Sequence, residues 1–232
     1  MKLSAILLAR VLAYVESIDL NPRGRANYLD LVNALVDRYG FKKFPQTVEE
    51  FDESKGVEFH HGAAGSRAIQ KFVVWNSILV LETRSGTDDA KAILLEMLEW
   101  GAETFGLNYH LGMIKHFAYV SDLTFYSDVP LLRINNPLTS LATKVSQELS
   151  GIWQEPIQYE PTNVQVGHDP MSRKYGVASF IISRRAEAKF SENKYFSEAP
   201  LPTETHIALL EQYERDMGEM LKPTRSILER SL

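Results

Sequence analysis

The sequence predicts an α+β fold, with a mainly antiparallel sheet of about six or seven strands and about four helices packed against it. Residues 69–75 and 78–84 are rich in β-branched and aromatic residues, and only Asn76 and Ser77 separate them, as in a tight hairpin. A positive φ at Asn76 would suit such a turn. Strands that follow each other directly, without regular alternation of strand and helix, favour antiparallel pairing.

The hydrophobic period changes immediately after this hairpin. Thr87 is the predicted N-cap of a helix, and Asp88 and Asp89 place negative charge at its positive end. Apolar or small residues then recur at intervals of three and four, which predicts one buried helix face: Ala90, Ile93, Leu94, Met97, Gly101 and Phe105. Gly101 would allow the helix and the sheet to approach closely.

Before this unit, residues 11–20 alternate as in a strand, although a helical spacing also fits them. Residues 28–39 carry a helical stripe that Gly40 closes. A short strand is predicted at residues 57–61, and residues 62–67 are predicted to form a small-residue loop with a mobile tip.

After the central helix, the pattern predicts a long strand at 113–125 and a helix at 136–151 with Asn136 as cap and Pro137 at its first position. Two more strands follow at 157–168 and 176–185, then a wrapping loop at 190–202 and a helix at 203–221. No repeat or linker divides the chain, so one domain over residues 1–232 is predicted; a boundary, if present, would lie at 151–156.

Composition excludes several classes of protein. A hydrophobic fraction of 44% with 24% charged residues requires a packed core, and the net charge of −5 does not favour nucleic acid as the partner. The absence of cysteine excludes disulfides and thiolate metal sites. Arg10 interrupts the apolar N-terminus, which argues against a secretory signal, and no stretch is long enough to span a membrane. A cytoplasmic location is therefore expected.

Glu53 and Lys55 form a Glu-x-Lys pair in an acidic stretch that also contains Asp52. With an upstream acid, Asp30 or Asp37, they could form the two-carboxylate-plus-lysine set of a metal-dependent nuclease or phosphodiesterase. The pattern is short and common, and a solvated acidic surface explains it equally well.

Histidine spacing does not predict a metal site. His60 and His61 would point to opposite faces of a strand, and His110, His116 and His168 are far apart in sequence. Neither a metal nor a cofactor is therefore predicted. The loop at 62–67 lacks a phosphate-binding motif, but a small ligand could bind beneath it.

Large aromatic residues in the predicted loop at 190–202 indicate either a loop pinned to its own core or a partner surface: Phe190, Tyr195 and Phe196. Arg184 and Arg185 end a predicted strand near the Arg173–Lys174 pair, which suggests a local basic patch. The leading hypothesis is a non-catalytic protein-interaction module, as a subunit of a larger assembly or a homo-oligomer. The nuclease based on Glu53 and Lys55 is the alternative.

Overall fold

The structure is a computed structural model that describes residues 1–24, 26–169, 171 and 177–222. Within these residues, eight strands form one antiparallel sheet, so the predicted α+β class is confirmed with slightly more strands than expected. The strand order is β2-β3-β4-β1-β5-β8-β7-β6. The strands are Lys2–Tyr14 (β1), Val57–Ala64 (β2), Arg67–Val74 (β3), Ile78–Thr83 (β4), Phe117–Tyr126 (β5), Asn163–Val166 (β6), Phe180–Arg184 (β7) and Lys194–Ala199 (β8).

Five α-helices accompany the sheet in the described residues, and four of them are substantial. They are Ser17–Leu20 (α1), Tyr28–Tyr39 (α2), Thr87–Phe105 (α3), Asn136–Trp153 (α4) and Thr203–Met220 (α5). The predicted α2 is confirmed at both ends. The Asn27 side chain accepts a hydrogen bond from the Leu29 amide, and Gly40 closes the helix with a φ of 62°, a conformation that glycine adopts without steric cost.

Strand β1 serves two hydrophobic clusters on one face of the sheet. Its register against β5 shifts between Leu3 and Ala5 and again between Ile6 and Leu8, so two extra residues are inserted in β1. Because β5 has no extra residue, every second residue of β5 points to the same face of the sheet. Phe117 and Tyr119 contact one cluster, and Leu123 and Phe125 lie in the other. Val11 packs in the cluster under α2 and α3, and Ile6 packs against the cluster under α5.

Helices α3 and α5 cap each other at their N-termini. The Thr87 amide donates a hydrogen bond to the Thr203 hydroxyl at 3.1 Å, and the Thr203 amide donates to the Thr87 hydroxyl at 2.8 Å. Both residues are buried. Thr87 was predicted to cap its own helix; instead Gly86 is the N-cap residue of α3, and the Thr87 hydroxyl serves α5. This exchange supplies buried amides with acceptors that neither helix provides alone.

The opposite face of the sheet carries paired charges. Arg10 on β1 forms an ion pair with its cross-strand neighbour Glu82 on β4 at 2.8 Å. Asp122 on β5 faces Glu198 on β8, and one buried Asp122 oxygen has no hydrogen-bond partner within the described residues. Burial and then the charge of Glu198 raise the pKa of Asp122 to about 6, against the lowering effect of Arg10. The ionised form of Asp122 at neutral pH is therefore unfavourable in the folded protein.

Two segments predicted as loops are strands. Residues 194–199 of the predicted wrapping loop form β8, which pairs with β5 and β7 inside the sheet. The predicted loop at 62–67 is the end of β2, a two-residue turn and the start of β3. Gly62 is needed within β2 because a Cβ there would lie 2.7 Å from the Phe41 ring.

Other predicted boundaries are also corrected. The strand expected at 11–20 occupies Lys2–Tyr14, and the chain then turns into α1. The 75–78 hairpin forms without a positive φ at Asn76, whose carbonyl accepts a hydrogen bond from the Ser17 amide at 2.8 Å. The long strand expected at 113–125 begins only at Phe117. The 173–174 basic pair lies outside the described residues.

Helix α4 lies at the periphery with no buried residue. Asn135 caps it in place of Asn136, and it continues through Gly151. Four residues of its apolar stripe are half-buried, namely Leu138, Ala142, Val145 and Leu149. Three large apolar residues remain exposed, with Leu141 at 59%, Ile152 at 71% and Trp153 at 66%. Among the described helices, none is long and apolar enough to cross a lipid bilayer.

Candidate functional site

A cavity of about 490 Å³ lies between α2, α3 and the sheet. Its walls are mostly apolar, and two helices and three strands contribute the apolar part: Leu31, Val32, Leu35, Phe59, Phe72, Val74, Leu79, Leu94, Met97 and Leu98. Protein interiors are packed as densely as organic crystals and contain few voids larger than a water molecule. A cavity of this size is therefore typical of a binding site and not of an ordinary core.

Regular hydrophobic spacing builds the two helical walls. Val32 and Leu35 bring one face of α2 over the cavity, and Leu94 and Met97 bring the face of α3 opposite to it. Met97, predicted from its spacing to be buried, is 5% exposed. The sheet provides the third wall, and the segments around Ser17, Glu53 and Leu107 complete the cavity.

Gly101 shapes the end of the cavity near the C-terminus of α3. It was predicted to bring helix and sheet together, but a Cβ on Gly101 would instead lie 2.7 Å from Leu107 Cδ1. The Leu107 amide donates a hydrogen bond to the Gly101 carbonyl at 3.3 Å after Gly106 reverses the chain with a φ of 67°. Leu107 thereby folds back over the helix and lines the cavity.

Polar groups gather at one end of the cavity around the Glu53 carboxylate. The Ser17 hydroxyl donates a hydrogen bond to Glu53, and the Tyr28 hydroxyl is also hydrogen-bonded to it. Burial, followed by the charge of Glu53, raises the pKa of Tyr28, so its hydroxyl remains a donor. Since a carboxylate has about four acceptor positions, Glu53 can accept further hydrogen bonds from a ligand.

This polar end lies close to the surface. Ile18 lines the cavity although it is 73% exposed, which places it at the mouth. Glu16 also lines the cavity, and its carboxylate forms an ion pair with Lys115 at 2.8 Å. The site can therefore bind the apolar part of a ligand in its interior and accept a hydrogen bond from the polar part of that ligand near the entrance.

The residues of the nuclease hypothesis do not converge. Glu53 faces the cavity, whereas the Lys55 side chain is 75% exposed and pairs with Asp52 at 3.1 Å. Hydrogen bonds from Ser54 and Lys55 lower the pKa of Asp52. Nowhere in the described part of the chain do three His, Asp or Glu side chains gather in a way that could hold a metal ion.

The residues of the interaction hypothesis occupy different environments. Tyr195 is fully buried on β8, and its hydroxyl accepts a hydrogen bond from the Leu131 amide at 3.1 Å. Phe196 points to the opposite face of the sheet and is half-buried. Phe190 and Arg184 line a second, polar cavity, while Arg185 forms a surface ion pair with Glu187 at 2.7 Å.

A buried polar network connects α5 with the sheet, and sequence spacing did not reveal it. His206 is 0% exposed; its Nε2 lies 2.8 Å from the Ser197 hydroxyl and its Nδ1 lies 3.0 Å from the Ser121 hydroxyl. Because Ser197 donates its own proton to the Ile181 carbonyl, the network assigns the proton of the neutral imidazole to Nε2. Enclosed on all sides, these groups position α5.

Comparison with models of protein families finds no match to this chain, and a search among curated proteins finds no match either. The function of this chain is therefore inferred from its geometry.

Proposed function

We propose that this protein binds a small amphipathic molecule in the cavity between α2, α3 and the sheet. The observation that carries the proposal is the combination of about 490 Å³ of space with mostly apolar walls. A dry apolar cavity of about 150 Å³ is already enough to bind a benzene-sized molecule. The larger space here suits an extended or branched hydrocarbon body, whose burial would supply most of the binding free energy.

The polar end favours a ligand whose head group donates hydrogen bonds. Glu53 forms no ion pair with any of the described residues, and its neighbours Ser17 and Tyr28 already donate to it. An alcohol or an ammonium group could fill its remaining acceptor positions, whereas a carboxylate head would bring two like charges together. The preferred ligand is therefore an aliphatic alcohol or amine, and not a fatty acid.

Calorimetric titration with decanol, decylamine and decanoate tests this preference on one hydrocarbon length. We expect decylamine and decanol to bind at least about tenfold more tightly than decanoate, which is a difference of about 1.4 kcal/mol. In Glu53→Gln, decylamine should lose its advantage while decanol still binds. Equal affinities for all three probes would contradict the role of Glu53, and failure of all three to bind would contradict the proposed function.

Two matched core substitutions test the location. Val32→Phe places extra volume in the cavity, whereas Ile182→Phe adds the same type of ring to the other hydrophobic cluster, under α5. We expect Val32→Phe to abolish probe binding without loss of stability, and Ile182→Phe to bind normally although overpacking destabilises it by about 1–3 kcal/mol. Unchanged binding to Val32→Phe would show that the probe occupies another site.

A second candidate function, the predicted protein-interaction module, has support from α4 and β6. Leu141 and Ile152 leave an apolar helix side exposed, and β6 is a sheet-edge strand of four uncharged residues. The exposed side of α4 carries one Lys144 and one Glu148, so two copies related by a twofold axis would be complementary in charge. We propose a second copy of this chain as the occupant.

Light scattering with size-exclusion chromatography tests this association. Leu141→Lys combined with Ile152→Lys should convert a dimer to a monomer, whereas Leu29→Lys, at an exposed leucine on α2, should leave the dimer intact. A wild-type monomer at high concentration would contradict the proposal. Membership of a larger assembly and a cytoplasmic location stay predictions.

The nuclease hypothesis also stays a prediction, and the separation of Glu53 from Lys55 gives it no geometric support. Incubation with plasmid DNA and RNA in Mg²⁺ or Mn²⁺ tests it directly. Equal and negligible cleavage by the wild type and by Glu53→Ala would end it.

A further inference from the structure

A second cavity, of about 660 Å³, has an entirely different character from the first. It lies between the segments 130–133, 158–160 and 184–193, and its lining includes Arg133, Arg184 and Lys189. Glu160 is its sole acidic side chain among the described residues. The cavity therefore combines three cationic side chains with one carboxylate.

The arrangement of these charges leaves an excess of positive charge. Glu160 accepts from Arg133 at 2.8 Å on one oxygen and from Arg184 at 2.6 Å on the other. The Gln158 amide also donates to Glu160, at 3.0 Å. The single carboxylate is thus fully used between two guanidinium groups, and it neutralises only one of them. Lys189 adds a third positive charge and has no ion-pair partner within the described residues.

Arg184 is the least exposed of these cations, with only 6% of its side chain accessible. One of its terminal nitrogens donates to the Phe190 carbonyl at 2.9 Å and the other to Glu160, but its Nε is buried with no hydrogen-bond partner in the described structure. An unsatisfied buried guanidinium N–H is costly. The Glu160 carboxylate and the Phe190 carbonyl thus fix the Arg184 guanidinium at the wall of the cavity.

Neighbouring polar groups add further donors to the same cavity. The Asn193 side-chain oxygen accepts from the Tyr195 hydroxyl at 3.2 Å, which leaves the Asn193 amide nitrogen available as a donor. Ser191 contributes a hydroxyl to the lining. Guanidinium and amide donors directed at a concave, partly buried site are the groups with which proteins bind multivalent oxyanions.

We propose that this cavity binds the phosphate groups of a small phosphorylated molecule. Two uncompensated positive charges match a phosphate group of charge near minus two, whose several oxygens can accept from Arg133 and Lys189 together. Glu160 would keep both guanidinium groups in position, so it is a positioning residue. The proposal does not depend on the apolar cavity, which is lined by the hydrophobic cluster under α2 and α3.

Two measurements with pyrophosphate at constant ionic strength test the proposal: a calorimetric titration and the thermal unfolding of the protein. We expect saturable binding, and a rise in Tm beyond that given by sodium chloride at the same ionic strength. Succinate, a dianion without a phosphate group, should bind at least about tenfold more weakly. Equal binding of succinate would overturn the phosphate assignment, and a Tm gain no larger than that with chloride would overturn the site.

Substitutions on the cavity wall separate this site from general attraction of anions. Arg133→Gln and Lys189→Gln should each weaken pyrophosphate binding about tenfold, while Lys144→Gln, on the exposed side of α4, should leave it unchanged. Lys189 is exposed, so its substitution tests the site even if Arg133→Gln disturbs the Glu160 contacts. Unchanged affinity in both cavity variants, or an equal loss in Lys144→Gln, would overturn the proposal.

Discussion

Lowering the pH should destabilise this protein through His206 in particular. Burial lowers the pKa of His206 to about 4 in the folded state, from an ordinary value of 6.5, against a smaller raising contribution from Ser121. The folded state therefore resists a proton that the unfolded chain accepts readily.

The sign and the size of the effect follow from this difference. A group whose pKa is lower in the folded state contributes stability that is present above the unfolded value and is lost as the pH falls through the folded value. The loss at His206 should therefore begin near pH 6.5 and be largely complete near pH 4. At about 1.4 kcal/mol per pH unit, it should reach about 3 kcal/mol.

Urea titrations of the wild type and of His206→Gln at several pH values between 4 and 7 would measure the loss. Glutamine keeps hydrogen-bonding capacity but does not titrate, and the carboxylates of the rest of the chain contribute equally to both proteins. We expect the free energy of unfolding of the wild type to fall by about 3 kcal/mol more than that of the variant. Parallel pH profiles would refute the assignment of a buried, neutral histidine.

Three further changes have expected outcomes that urea unfolding can measure. Met97→Asp should cost about 3 kcal/mol or more, because it places an unpaired charge at a buried position. Glu96→Ala should cost about 1 kcal/mol or less, because it removes an exposed ion pair with Arg38 and one hydrogen bond from the Tyr39 hydroxyl. A larger loss for Glu96→Ala than for Met97→Asp would contradict the orientation of α3. Asp122→Asn should stabilise the protein by about 1 kcal/mol at pH 7 and give no gain at pH 4. A raised folded pKa lowers stability as the pH rises from the ordinary value of 3.8 to about 6, and the loss stays constant above that. A loss of stability in the variant at pH 7 would show that the charge is stabilising. Gly40 and Gly151 both have open space around them, so an added Cβ clashes with nothing at either position. Gly40→Ala should lower the free energy of unfolding by about 1 kcal/mol because of its φ of 62°, while Gly151→Ala inside α4 should raise it by up to about 1 kcal/mol. Equal effects would mean that backbone conformation does not distinguish the two positions.

Sequence patterns predicted the elements whose apolar spacing is regular. The stripe of α3 and the glycine that ends α2 reflect local physics, and the structure agrees with both. Strand β8 was missed because two of its three inward positions are the small residues Ser197 and Ala199. Ser197 faces inward because it bonds to His206, which comes from a different element. The choice of serine at this position thus depends on a tertiary contact with His206, and the sequence alone does not show that the two residues are neighbours.

The candidate sites show the same limit. Glu53 was singled out from the sequence because it forms a Glu-x-Lys pair with Lys55, and not because of the cavity that it faces. The cavity arises from the separation of α2 and α3 over the sheet, which depends on side chains distant in sequence. Arg184 and Phe190 were singled out as surface residues, and the structure places both on the wall of the second cavity. Residue type indicated chemistry in each case, whereas position required the fold.

The exchange of caps between Thr87 and Thr203 has a consequence for folding during synthesis. While the ribosome is still making the first 200 residues, the Thr87 amide has no acceptor, because its partner hydroxyl does not yet exist. Strand β5 also lacks its β8 neighbour at that stage. The emerging chain can collapse around α3, but it cannot satisfy these buried groups until α5 has left the exit tunnel. Release of α5 should therefore set the moment at which the native sheet closes.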